Sequence, residues 1–556
     1  MIVIDPMHNL FLGIVKTHFY HIWVQLNVLR KTKELRTLHA LLSKLKLPAH
    51  LGRLPSLIGE PAGGSLTADQ WLVFATIVAP LIIPQLWQEY IPEESPQELA
   101  QRRAREIAAT LEAKRAAAAA ARQAQPAPAA GKRSRKPSAK AAAMDIDPDE
   151  LDAGAVDESD DDSYGLNPTQ QRKRRRQQQH DRQAASIEDD EARDNATPSN
   201  LHPDDPRNFL KLCTALKTFI AGVITETDLT RSDTLIREYC AELVELYGAE
   251  VIRPNHHYAT HTAQNIRNYG PLREFWTFLF ERLNKVLKSY KTPNHAGGEL
   301  ETSFFREFQR TVQQSRLLGQ GAREPVGSEL RQAVELMYNA TADDRGTVQA
   351  LARDLDVARQ DDGITFQLST RAEKGELSPE LYFCVLQHLQ IRLPNVKLHS
   401  YIELAPSPDS LVLEPRGFLF DHVVVNQRRY YASSRSAHPD TSLIAIQSAP
   451  GRLWVGELRF IFAIQQPSTR TIHRFGYVRW FRPTTTDVSR TVWSQFAPLG
   501  VQLWEAATYL TAVDNGPDML IDLSSILAHA VRMEVNIRGR QYWATILTTK
   551  VCLDFV

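Results

Sequence analysis

The sequence predicts an α+β protein with a mostly helical N-terminal part, a long disordered insert inside it, and a C-terminal antiparallel β-rich barrel or sandwich. Three observations predict this. Apolar residues recur every three to four positions up to about residue 398 and every second position after it. Between about residues 94 and 205 the aromatics almost vanish and charge comes in blocks. Finally, 556 residues give material for two to four domains, and 65 basic against 65 acidic residues leave the chain near neutral at pH 7. The boundaries read as 1–93 helical, 94–205 insert, 206–320 helical, 321–398 helical connector and 399–556 β-rich.

Asp5-Pro6 reads as a helix start, with a carboxylate N-cap and a proline whose missing donor costs nothing at the first turn. From Lys31 to Tyr90 the pattern is helical, and Ser65 to Trp71 is a second start with a hydroxyl cap and an early acid. The apolar run from Trp71 to Trp87 contains Pro80 and Pro84 and falls short of a comfortable span, so it is read as a buried helix of a soluble protein. No basic-then-apolar leader opens the chain. The four cysteines, Cys213, Cys240, Cys384 and Cys552, form no CxxC and fit a reducing compartment.

The insert holds an Ala-rich, helix-prone piece from Ala100 to Ala121, an acidic block from Asp145 to Asp162, and two basic clusters. These clusters, Lys132, Arg133, Arg135 and Lys136, then Arg172, Lys173, Arg174, Arg175 and Arg176, are dense enough for nuclear import or nonspecific nucleic-acid contact. They are equally readable as a linker that neutralises its own acidic block. Helical spacing resumes over 208–220 and 227–247, then over 293–318, 329–338, 348–357 and 380–391.

From Leu398 onward the candidate strands are Leu411–Leu413, Phe418–Val425, Arg428–Ala432, Leu443–Gln447, Leu453–Ala463, His473–Phe481, Val501–Glu505, Arg532–Ile537 and Gln541–Leu547, with Arg538-Gly539 as a hairpin turn. Tyr477, Trp480, Phe481 and Trp493 are weighed as an aromatic cage for a methylated lysine, against the commoner role of strand aromatics as core. The sequence holds no Gly-rich phosphate loop, GxSxG, HExxH or dinucleotide fingerprint.

The most demanding stretch is Pro254 to His295. It opens on His256, His257 and His261, turns at Gly270-Pro271, and continues with Phe275, Phe278, Leu279, Leu283, Val286 and Leu287 at helical spacing. Glu281 stands among these apolar residues, where a carboxylate must be solvated, paired with a cation such as Lys285, or bound to metal. Adjacent His256 and His257 cannot easily face one ion.

Two phrases resemble the transposases of CACTA-type DNA transposons of fungi. One is Asp5-Pro6-Met7-His8-Asn9-Leu10-Phe11-Leu12-Gly13. The other comprises Asn255-His256-His257-Tyr258, Thr260-His261, Tyr269-Gly270-Pro271, Phe275-Trp276, Phe280-Glu281-Arg282, Asn284 and Leu287-Lys288. The resemblance covers roughly residues 1–90 and 205–320. It implies an RNase H-like core in which two Asp and one Glu hold Mg2+ or Mn2+ for cut-and-paste cleavage and strand transfer at transposon ends, in the nucleus. Glu281 matches the metal-binding catalytic Glu. Asp5 and His8 match an orienting or metal-proximal element, and His257 and His261 belong to the same motif.

In that family the two Asp lie upstream of the first phrase, so the chain is expected to be an N-terminally truncated, catalytically incomplete fragment that binds no metal stably. The alternative is a non-enzymatic DNA- or chromatin-binding derivative, or a decayed element without function. No membrane partner is expected.

Overall fold

The computed structural model describes most of residues 3–90, 95–124, 190–280, 299–340 and 366–548. Within these, helices fill the N-terminal half and an antiparallel sheet fills the C-terminal part, as the change of hydrophobic period predicts.

The helical unit is built around aromatics. Met7–Val15 and Thr17–Val24 form a wide-turned helix that buries Phe11, Phe19 and Trp23. Trp23 packs on Trp87 and Phe209, with ring centroids 4.8 Å away in each case. Trp87 belongs to the apolar stretch Ala68–Tyr90, which has the length and hydropathy of a membrane span but is 89% buried over its most apolar window. That stretch starts where the hydroxyl cap was expected. Thr67 Oγ1 accepts from Gln70 N–H at 3.4 Å, and Thr67 N–H donates to Gln70 Oε1 at 3.0 Å. Asp205–Phe219 and Glu226–Tyr247 pack together against this core.

The insert expected to be disordered over 94–205 is ordered at both ends. Pro96–Ala124 is a helix that buries Leu99, Arg103 and Ile107. Arg103 donates to both carboxylate oxygens of Asp205, at 2.9 and 2.8 Å, and its guanidinium lies 3.6 Å from the Tyr247 ring centre. From the far end, Asp194 accepts from Thr32 N–H and Oγ1, both at 2.8 Å. Arg30 pairs with buried Glu34 and donates to Thr197 O at 2.8 Å. Composition misjudged these ends because a few ion pairs to distant residues, not a local aromatic core, fix them. The Lys132–Lys136 and Arg172–Arg176 clusters lie outside the described residues.

In the β region the strands are β1 (Phe366–Leu368), β2 (Ala372–Glu376), β3 (Leu398–Ser400), β4 (Leu411–Leu413), β5 (Arg416–Phe420), β6 (His422–Val425), β7 (Arg428–Tyr431), β8 (Leu443–Ser448), β9 (Arg452–Gln465), β10 (Ile472–Pro483), β11 (Gln502–Tyr509), β12 (Leu520–Ile521), β13 (Ile526–Ile537) and β14 (Arg540–Leu547). The main sheet runs β12-β10-β11-β14-β13-β8-β9-β5-β2. Pairing of β10 with β9 closes six of these strands into a ring, so of the two expected forms, barrel or sandwich, the sheet takes the barrel. Arg538 and Gly539 have φ of 52° and 81°, so the β13–β14 turn takes positive φ at both centres, the geometry whose twist matches a hairpin.

Two expectations need correction. The 321–398 connector is not all helix: β1 and β2 lie in it. Its helix Pro379–Arg392 packs Leu381, Val385 and Leu389 with Phe462 and Phe475 of the sheet, so it belongs to the β unit. The expected helix over 348–357 lies outside the described residues. Nor is the β region a separate appendage. Met533, Val535, Tyr542 and Ile546 share one apolar core with the helices, while Trp493 Nε1–H donates to Pro80 O at 2.7 Å and Lys217 Nζ to Leu499 O at 2.6 Å. The four candidate cage aromatics take the commoner role, as core: all are buried and divided among three cores, Trp480 and Phe481 in the barrel, Tyr477 beneath Pro379–Arg392, and Trp493 in the helical unit.

Candidate functional site

The two phrases that carry the resemblance, about 250 residues apart in sequence, meet in space. Asp5 caps the first helix as expected, its carboxylate accepting from Met7 N–H at 3.2 Å and His8 N–H at 3.1 Å. The same carboxylate accepts from Thr277 N–H at 3.0 Å and Thr277 Oγ1–H at 2.7 Å, and the His8 ring Nδ1 lies on its Oδ2. Burial opposes ionisation here, but the hydrogen bonds from His8, Thr277 and Met7 outweigh it and hold the Asp5 carboxyl below its usual range.

Further contacts join the phrases. With the Asn9 amide oriented to satisfy both neighbours, its nitrogen donates to Asn255 O at 3.1 Å and its oxygen accepts from Ala259 N–H at 3.2 Å. Phe11 and Phe278 pack with ring centroids 6.0 Å apart. Gly13 faces Asn255 so closely that a Cβ there would stand 2.5 Å from Asn255 Nδ2, which accounts for the glycine that closes the first phrase. Gly270, at φ 87°, ends the helix Thr262–Tyr269 and lets Pro271 turn the chain toward Trp276 and Phe278.

The three histidines separate by side of the helix. His256 is buried; its Nδ1 accepts from Arg253 N–H at 2.9 Å, and burial pushes its pKa down to about 4. Its ring stacks on Tyr239, whose hydroxyl shares a 2.9 Å hydrogen bond with Nδ1 of His18. His18 is also fully buried and held neutral by that burial, well below the ordinary imidazole range. His257 and His261 point to solvent, with their Nε2 atoms 3.3 Å apart.

Glu281 lies outside the described residues, although Thr277, four positions before it, is on the junction. Asp5 does not fit a metal ligand in this arrangement. A carboxylate offers about four acceptor sites, and two backbone N–H groups, Thr277 N–H, Thr277 Oγ1–H and the His8 ring already take them. Among the described residues no group of three or more His, Cys, Asp or Glu is arranged to hold a metal. The Asp5 carboxylate joins its own helix start, through His8, to Thr277. Sequence reasoning missed Thr277, an unmatched position inside the second phrase with no local signal, and it missed the pairing of Asn9 with Asn255 because neither residue names its partner.

No family model, curated protein or solved structure matches this chain.

Proposed function

We propose that the chain is a transposase-like protein of the CACTA type, with a helical unit that holds Thr277, inside the second phrase, against the Asp5–His8 helix start. One observation carries this reading. The two stretches singled out by their resemblance to that family are the ones that Asp5, Asn9 and Phe11 join to Thr277, Asn255 and Phe278. A shared structural junction is the expected reason for two distant phrases to be specified together.

In such enzymes two metal ions stabilise the attacking and leaving oxygens of a phosphodiester displacement. Of the matched residues, Glu281 is the one that would hold a metal in such a site. The proposed role of this chain is to bind DNA, with the Lys132–Lys136 and Arg172–Arg176 clusters as phosphate contacts and import signals.

The test is duplex-DNA binding by fluorescence anisotropy at several salt concentrations, alongside supercoiled plasmid incubated with Mg2+ or Mn2+. Salt-dependent binding that weakens when Arg172 to Arg176 are neutralised supports the proposal. Plasmid cleavage abolished by Glu281→Gln would give Glu281 the catalytic role that the resemblance implies. Absence of any DNA binding sinks the reading.

A further inference from the structure

We propose that His257 and His261 form a two-nitrogen site for a Zn2+-class transition-metal ion, a proposal independent of the transposase reading. His257 lies on the helix Pro254–Ala259 and His261 in the turn after it, four positions on, the spacing that brings two side chains together on one face. Their Nε2 atoms are 3.3 Å apart, the ring centroids 4.9 Å apart, and the ring planes at 86°. Zn–N bonds of about 2.0–2.1 Å meeting at a tetrahedral angle place two nitrogens roughly 3.3–3.4 Å apart. The pair already has the separation of two ligands on one ion. Without an ion, the same contact is made by one Nε2–H donating to the other ring.

The surroundings hold this geometry. Thr260 N–H and Oγ1–H both donate to His257 O, at 3.1 and 2.8 Å, so the turn between the two rings is closed on itself. Arg237 braces the turn from the neighbouring helix by donating to Thr260 O at 3.1 Å. Its positive charge is offset by Asp233, 3.1 Å away. Both imidazoles are exposed, so an ion reaches them without unfolding, and water completes its coordination. Neutral imidazole selects Zn2+, Ni2+ or Cu2+ over Mg2+, which prefers oxygen. This site is therefore chemically distinct from the Mg2+ or Mn2+ chemistry associated with Glu281.

The test is calorimetric titration of Zn2+ into the full chain at neutral pH, with Co2+ as a visible-absorption probe of nitrogen ligation. His257→Ala and His261→Ala should each weaken the tightest binding step by at least the roughly 10–100-fold that loss of a mere supporting partner costs, and the double variant should add little more. Zn2+ should raise the melting temperature of the native chain and leave both variants unmoved. Because both side chains are exposed, the metal-free variants should melt with the native chain; if one misfolds, His257→Gln keeps the polarity and removes the ligand. Equal Zn2+ affinity in native and variant chains, or no Zn2+ binding by the native chain, overturns the proposal.

Discussion

The helical unit and the barrel are held together in opposite ways. In the barrel, β8 with β9, β9 with β10 and β13 with β14 pair through short connections, and the longer-range pairings of β8 with β13 and β11 with β14 then close the ring. In the helical unit the decisive polar contacts span great lengths of chain: Arg103 to Asp205, Thr32 to Asp194, Trp23 Nε1–H to the Tyr247 hydroxyl at 2.7 Å, and Asp5 to Thr277. Local pairing makes the first region readable from hydrophobic period and turn chemistry. Buried polar pairs between distant residues make the second region dependent on partners that no local pattern names.

This contrast predicts different responses to truncation, the largest in the helical unit. Arg103→Ala leaves Asp205 buried without its cation and should cost about 3–5 kcal/mol, whereas replacing both by apolar residues of similar volume should recover most of that loss. In the barrel, Ile461→Ala should cost about 2–5 kcal/mol, and no second substitution should restore it. Urea unfolding of the four chains checks both. Recovery in the barrel, or none in the helical unit, would break the distinction.

An intermediate effect is expected from pH. His256 has a folded pKa of about 4, against about 6.5 when unfolded. The unfolded chain therefore gains a proton first as pH falls, and stability present above pH 6.5 is lost progressively down to pH 4, by roughly 3 kcal/mol from this group. His18, also depressed by burial, acts in the same direction. Urea midpoints followed from pH 7 to pH 4 should fall, and His256→Phe should flatten the slope; an unchanged slope would show that the burial of His256 is not what makes the unit acid-sensitive.

The smallest effect concerns the junction of the two phrases. Asp5→Ala removes an N-cap and the acceptor for Thr277, with an expected cost of about 0.5–2 kcal/mol. Hydrogen exchange should show faster exchange at Met7, His8 and Thr277 while the barrel amides are unaffected. Loss of protection in the barrel would mean that the shared core transmits the change further than the hydrogen bonds suggest.

How legible the protein was follows from the same contrast. The caps at Asp5 and Thr67, the helix Glu226–Tyr247, the switch of period near residue 398 and the Arg538-Gly539 hairpin were all readable, because each depends on residues within a few positions of one another. The candidate site was half readable. Its phrases stand out as sequence, and adjacency correctly separates His256 from His257, since neighbours on a helix point about 100° apart. Which histidine goes inside was not written there.

By itself, then, the sequence determined where helices start, where strands replace them, and which two stretches are chemically unusual. Only the tertiary structure decided that Arg103 is an anchor within a segment that resembles a linker, and that strand residues Met533 and Tyr542 complete a helical core. It alone joined Asp5 to Thr277 and brought His257 to His261. Caps and periodicity are local free-energy terms, carried by a few neighbouring dihedrals and side chains. Buried ion pairs and shared cores exist only once the chain has brought distant groups out of water together.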